Sequence, residues 1–96
     1  MPRLRLSDKA KADLDGIFLH GLMTYGDAAA ERYVDELSGQ LAKIAESPGI
    51  VRERTEIRPP VRLYPFRAHH ILYMTLGEDV VILQVLHRSA NWIDHL

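Results

Sequence analysis

The chain of 96 residues contains no cysteine. This absence excludes disulfide bonds and thiolate zinc sites, so one hydrophobic core has to hold the fold together. No apolar run approaches the roughly 20 residues that a membrane-spanning helix needs. The six glycines are scattered singly, so phosphate-binding loops, dinucleotide fingerprints and nucleophile elbows are also missing. We therefore expect a single domain over residues 1–96 that binds no cofactor.

The N-terminus has no feature of a secretory signal. Met1 to Leu6 is short, polar and basic, whereas a signal peptide needs an apolar central region. Together with the lack of a membrane span, this predicts a cytoplasmic protein without membrane contact.

Five histidines raise the question of a metal site, because neutral imidazole is a common zinc ligand. Their spacing does not favour one. His69 and His70 are adjacent and would point to opposite faces of a strand, while His20 falls outside the apolar stripe of its predicted helix. We predict no metal site and interpret the histidines as surface or sheet-end residues.

Two amphipathic helices are predicted in the first half of the chain. Ser7 is a candidate N-cap, Gly26 marks the end of the first helix, and Asp27 can cap the second. The apolar stripes are Ala10, Leu14, Ile17, Phe18, Gly21, Leu22 and Tyr25 in the first helix, and Ala30, Tyr33, Val34, Leu37, Leu41, Ile44 and Ala45 in the second. A tight turn between them predicts an antiparallel hairpin whose apolar faces need a sheet.

Three apolar runs at 61–66, 70–76 and 80–87 predict strands. The last run is apolar on both faces, which indicates a central strand. The first alternates and contains Pro65, which favours an edge or a bulge. Gly77 lies in the short connection between the second and third runs and predicts an antiparallel hairpin.

These elements predict an α+β fold in the order β-α-α-β-β-β. The alternating segment 3–6 supplies the short N-terminal strand, the helix hairpin follows, and the three later strands form an antiparallel meander. A short extended piece is predicted at 50–55, and a short C-terminal helical turn carries Trp92.

The charges are segregated although the formal net charge is only −1. Residues 8–36 hold seven acidic side chains against three basic ones, and residues 52–67 hold five arginines against two glutamates. An arginine patch of this kind can bind carboxylates or phosphates bidentately. The alternative is a solvated loop with internal ion pairs.

The chain resembles the RelE/ParE toxin superfamily of bacterial type II toxin-antitoxin modules, and within it ParE. The resemblance covers nearly the whole chain and rests on an ordered set of residues in the helices and strands. They are Ala10, Asp13-Leu14 and Ile17, Tyr25-Gly26, Ala30, Tyr33, Leu37 and Ile44, Pro48-Gly49, Arg62-Leu-Tyr-Pro-Phe, His70-Ile-Leu-Tyr73 and Val85-Leu-His87-Arg88.

The resemblance implies a cognate antitoxin, of ribbon-helix-helix type and encoded alongside, that forms a hetero-oligomer with the toxin. ParE-like members act on DNA gyrase and trap it on cleaved DNA without hydrolytic chemistry of their own, whereas RelE-like members cut mRNA in the ribosomal A site with basic residues. The chain has no lysine after Lys43 and no tyrosine after Tyr73, and both departures favour gyrase. A third interpretation is a binding module that has lost toxicity. No sequence-specific nucleic-acid binding is expected.

The candidate functional residues lie in the arginine-rich segment, the first meander strand and the exit of the last strand. For antitoxin or target binding they are Arg52, Arg54, Arg58, Arg62, Tyr64, Phe66, His87, Arg88 and Trp92. No catalytic residue is expected in a gyrase poison; a ribonuclease would use Arg62, Arg67, His87 and Arg88. The alternative role for Arg62 is an internal ion pair with Glu53 or Glu56.

Overall fold

The structure is a computed structural model that describes residues 3–96. Met1 and Pro2, the first residues of the predicted domain and of the basic N-terminal stretch, lie outside the described residues. The elements are β1 (Leu4–Leu6), α1 (Asp8–Tyr25), α2 (Asp27–Glu46), β2 (Glu53–Arg54), β3 (Val61–Phe66), β4 (His69–Leu76) and β5 (Asp79–His87). Short 3-10 helices span Pro48–Ile50 and Trp92–His95. The predicted α+β class and element order are confirmed, and the two-residue strand β2 lies within the extended piece predicted at 50–55.

The strands form one mixed sheet in the order β1-β5-β4-β3-β2. β1 pairs with β5 in parallel, and the other neighbours are antiparallel. β5 therefore has a partner on each side, as its apolar character predicts. β2 pairs only with Val61 and Arg62, so the other end of β3 is an edge of the sheet. Pro65 lies there, and because no strand within residues 3–96 pairs with that edge, its lack of a backbone N–H removes no hydrogen bond from the sheet.

The helix hairpin begins and turns at the predicted residues. The Ser7 hydroxyl accepts a hydrogen bond from the Ala10 amide at 2.9 Å, which confirms Ser7 as the N-cap of α1. Gly26, with φ of +89°, ends α1 and also precedes α2. The predicted cap at Asp27 is wrong, because the Gly26 carbonyl already accepts the Ala30 amide at 3.1 Å and Asp27 is the first residue of the helix.

The core lies between the helix hairpin and one face of the sheet. Its buried members are Ala10, Leu37, Leu41, Ile44, Ile71, Tyr73, Val80, Ile82 and Val85. The Tyr73 ring is fully buried and its hydroxyl donates to the Pro48 carbonyl at 2.6 Å, so the polar end of this side chain is satisfied. Tyr25, the last member of the apolar stripe predicted for α1, does not join the core: it is 73% exposed at the hairpin turn.

A β-bulge interrupts the pairing of β4 with β5. Tyr73 faces Ile82, but the next β4 residue, Leu72, faces Gln84, so Leu83 is an extra residue in β5. Two side chains from the start of α1 bind the backbone there. The Ser7 hydroxyl donates to the Leu83 carbonyl at 2.6 Å, and the Val85 amide donates to Asp13 Oδ2 at 2.9 Å.

Within residues 3–96, neither α1 nor α2 combines the length and the apolar character that crossing a membrane requires.

Candidate functional site

A cleft of about 430 Å³ opens between the helix hairpin and the adjoining ends of β4 and β5. Small and aliphatic residues of both helices, among them Ile17, Gly21 and Ala30, line its apolar part. Its polar lining includes Arg32, Tyr33, Glu36, Arg67, His69 and His87. We call this feature the histidine cleft.

The bulge in β5 brings two histidines together in the histidine cleft. His69 faces His87 across the β4–β5 ladder, and their rings meet edge to face with centroids 5.7 Å apart. In a regular ladder continued from the Gly77 turn, His69 would face Leu86 instead, and His87 would point to the opposite face. The extra residue Leu83 is therefore the local cause of the histidine pair.

Tyr33 of α2 binds the first of these histidines. Its hydroxyl lies 2.6 Å from His69 Nδ1. Burial, and then the nearby His87, His20 and His70, hold the pKa of His69 below its usual value of 6.5, so the ring is neutral at physiological pH. Burial also raises the pKa of Tyr33, against a backbone hydrogen bond at Ala68, so the phenol keeps its proton and donates it to Nδ1. The neutral ring then carries its own proton on Nε2.

Ser89 fixes the tautomer of the second histidine. The Ser89 backbone amide donates to His87 Nδ1 at 3.2 Å, and the Ser89 hydroxyl lies 2.6 Å from the same atom. Because an amide can only donate, Nδ1 is an acceptor and the neutral His87 ring carries its proton on Nε2. Both rings thus have a free Nε2–H, since neither Nε2 has a hydrogen-bond partner among residues 3–96.

The two arginines of the histidine cleft differ in their partners. Arg67, in the tight β3–β4 turn with φ of 50°, forms an ion pair with Glu36 and lies over the Phe66 ring, 5.1 Å from its centroid. Arg32 is exposed, and no carboxylate in the described part of the chain pairs with it. Two guanidinium groups therefore oppose one carboxylate, and the cleft has a positive excess.

Comparison with known proteins identifies the family. A family model described as the ParE toxin of the type II toxin-antitoxin system parDE matches residues 4–92. The chain belongs to the ParE toxin family. It is 36% identical over 96 residues to Toxin ParE1 of Caulobacter vibrioides, covering 100% of this chain and 99% of that protein. It is 33% identical over 90 residues to Toxin ParE1 of Mycobacterium tuberculosis, covering 93% of this chain and 92% of that protein.

The fold also matches a solved structure titled "Chromosomal ParDE TA system from P. aeruginosa". The TM-score is 0.79, and the match covers 91% of this chain and 96% of that one at 24% sequence identity. At this identity the likeness shows a shared fold. The predicted membership of the RelE/ParE superfamily, and of its ParE branch, is confirmed, and the chain is a ParE toxin of a type II toxin-antitoxin system.

The structure does not gather the four residues considered for a ribonuclease into one cluster. Arg67 and His87 share the histidine cleft. Arg62 faces Tyr73 at the other end of β3, four residues and about 13 Å along the strand from Phe66. Arg88 is exposed beyond the end of β5, where its backbone amide donates to the Ala68 carbonyl at 2.8 Å.

Arg62 binds backbone instead of a glutamate. Its Nη1 donates to the Val51 carbonyl at 2.5 Å, so the considered pairing with Glu53 or Glu56 is wrong. Glu53 lies directly opposite Arg62 in the β2–β3 pair, but the guanidinium extends past it to the Val51 carbonyl in the chain before β2.

Tyr64 and Phe66 of this ParE chain are partly buried by α2. The Tyr64 hydroxyl donates to Gln40 Oε1 at 2.6 Å, and the Phe66 ring lies 6.1 Å from that of Tyr33. Each therefore offers a partner only the part of its surface that α2 leaves open.

The remaining candidates lie in the arginine-rich loop and the C-terminal turn. Arg52 pairs with Glu56 at 3.5 Å, and the Arg54 guanidinium lies 5.8 Å from the centroid of the Trp92 ring. These contacts agree with the predicted solvated loop with internal pairs, and they join β2 to the C-terminal 3-10 helix. Arg58 is exposed.

Sequence reasoning missed the contributions of His20, Arg32, His69 and Ser89 to the cleft. The available signal was the pair His69 and His87 on either side of the Gly77 turn, but it becomes a contact only when the bulge is known. Within the described residues, no three His, Cys, Asp or Glu side chains are grouped as metal ligands.

Proposed function

We propose that this chain is a toxin that binds DNA gyrase and traps it on cleaved DNA, and that a cognate antitoxin holds it inactive. The observation that carries the proposal is the match of residues 4–92 to the ParE family, over nearly the whole fold. The relatives of Caulobacter and Mycobacterium bear the same family name.

The distribution of basic side chains supports a binding mechanism over RNA cleavage. Cleavage without metal needs a cationic group and a general acid and base within hydrogen-bond reach of one phosphodiester. The four residues considered for a ribonuclease do not form that set, because Arg62 lies at the other end of β3 from Arg67 and His87. In the histidine cleft, the Nδ1 atoms of both histidines are already hydrogen-bonded, to Tyr33 and to Ser89. Poisoning of gyrase requires no such constellation, because the DNA chemistry belongs to the enzyme.

An antitoxin partner is supported by the ParDE title of the solved structure that shares this fold. We propose a ribbon-helix-helix antitoxin encoded next to the toxin and a hetero-oligomeric complex that acts in the cytoplasm. The arginines of the 52–67 segment provide charge for an acidic antitoxin segment.

A supercoiling and DNA-cleavage assay with purified gyrase tests the target. Added toxin is expected to inhibit supercoiling and to accumulate linear DNA, and added antitoxin is expected to reverse both effects. If micromolar toxin leaves both reactions unchanged, gyrase is not the target. Primer extension on translated mRNA, run in parallel, would then show discrete A-site cuts if the chain is a ribonuclease, and expression that leaves growth unaffected would indicate a non-toxic binding module.

A further inference from the structure

The histidine cleft contains three hydrogen-bond donor groups that have no acceptor among residues 3–96. His69 and His87 each present an unpartnered Nε2–H, because their Nδ1 atoms are occupied by Tyr33 and Ser89. Arg32 adds a guanidinium group with no partner in the described chain. A site with three donors and an apolar wall is complementary to an anion that carries an aliphatic stem.

We propose that the histidine cleft binds an acidic side chain of the antitoxin, with the carboxylate between the two Nε2–H groups and Arg32 and the stem against Ile17 and Ala30. This inference rests on the proposed toxin-antitoxin function and assigns a site to its partner. A carboxylate has two oxygens and about four lone-pair directions, enough to accept from both imidazoles and the guanidinium.

The shape of the cleft favours a polypeptide over a free small acid. Tyr25 lines the cleft and is 73% exposed, so the cleft is open at the hairpin turn and a bound chain can continue past it. Glu36 lines the same cleft and disfavours a ligand with repeated charges, such as a nucleic-acid backbone. Arg67 forms an ion pair with Glu36 and offsets its charge, so Arg32 is left to bind a single carboxylate.

The first experiment detects the carboxylate chemistry in the intact toxin. Histidine nitrogen NMR is recorded while N-acetyl-L-glutamate is added, with its neutral isostere N-acetyl-L-glutamine and inorganic phosphate as comparison probes. The Nε2 signals of His69 and His87 are expected to shift with the glutamate compound and not with the glutamine compound, and Arg32→Glu should abolish the shift. Equal responses to the two compounds, a response to phosphate alone, or no response would overturn the proposal.

The second experiment places the antitoxin in the cleft. Arg32→Glu should weaken binding of the adjacently encoded antitoxin at least about tenfold, because it repels the carboxylate and removes a donor. Lys11→Glu is the matched control, with the same charge reversal on an exposed residue outside the cleft, and should change affinity by less than about twofold.

The outcomes separate the two proposals. If the antitoxin binds wild-type toxin and Arg32→Glu equally, the cleft assignment falls and the proposed function stands. If the antitoxin fails to bind the wild-type toxin, the partner named in the proposed function is wrong and the assigned occupant falls with it. Circular dichroism of Arg32→Glu serves as the folding check.

Discussion

Replacement of Asp13 by alanine tests whether helix α1 stabilises the bulged backbone of β5. Asp13 Oδ2 is the acceptor for the Val85 amide at 2.9 Å, and Val85 is only 4% exposed, so water cannot easily replace the carboxylate. The same carboxylate pairs with Lys9 on the preceding turn. Asp13→Ala therefore leaves a buried N–H without an acceptor beside the bulge at Leu83.

The loss in the free energy of unfolding of Asp13→Ala can be estimated from these contacts. A hydrogen bond to a charged acceptor contributes about 1.5–3 kcal/mol, and the exposed i,i+4 ion pair with Lys9 adds only about 0.3–0.5 kcal/mol. The free energy of unfolding should thus fall by about 2–3 kcal/mol. For a domain of this size, that corresponds to a decrease in Tm of about 10–20 °C.

Urea and thermal unfolding measure this loss, and three variants control it. Asp13→Asn keeps an oxygen acceptor and should recover more than half of the lost stability. Lys9→Ala isolates the ion pair, and Asp15→Ala removes an exposed carboxylate on the same helix, with an effect within about 0.5 kcal/mol. If Asp13→Ala costs no more than Asp15→Ala, the hydrogen bond to Val85 does not stabilise the fold.

Asp13→Ala also tests whether the bulge positions His87 in the histidine cleft. Loss of the bulge would rotate His87 away from His69, and the nuclear Overhauser contact between the two rings would disappear. If Asp13→Ala is destabilised but keeps this contact, other interactions determine the register.

Three further predictions concern pH, helix packing and Arg62. The pKa of His69 is lower in the folded chain than in the unfolded chain, so the unfolded chain binds more protons below about pH 6.5 and the folded state loses stability as the pH is lowered. His69→Gln should reduce this loss, measured as the shift of the urea midpoint, whereas the exposed control His95→Gln should not. In helix interiors, Gly39→Ala should stabilise by about 1 kcal/mol, because its Cβ meets nothing within 4 Å, whereas Gly21→Ala places a Cβ 3.1 Å from that of Ala30 and should destabilise in the same thermal assay. Arg62→Glu should weaken antitoxin binding and also lower Tm through loss of the Val51 contact, and unchanged affinity would remove Arg62 from the interface.

Local patterns were enough to predict most of the fold. Ser7, Gly26 and Gly77 have side-chain or backbone properties that act within a few residues, so their roles as cap, helix end and hairpin turn were visible in the sequence. The N-cap of α2 was predicted one residue too late. The N-cap is Gly26, which has no side chain to form a cap hydrogen bond, and Asp27 is already helical.

The histidine cleft was hidden because it depends on contacts between distant parts of the chain. The bulge at Leu83 involves Ser7, which is 76 positions away, and Asp13 reaches Val85 across 72 positions. A strand pattern with period two cannot reveal one inserted residue, yet that residue decides which face His87 occupies.

Asp13, Tyr33 and His87, three residues on which the family resemblance rests, act in one physical sequence. Asp13 holds the backbone next to the bulge, the bulge turns His87 toward His69, and Tyr33 fixes the tautomer of His69. The first two steps are linked through the backbone of β5, so a change at Asp13 should also alter the position of His87 in the cleft. A double-mutant cycle between Asp13→Ala and Arg32→Glu in antitoxin affinity measures this coupling, and strict additivity would show that the bulge and the cleft are independent.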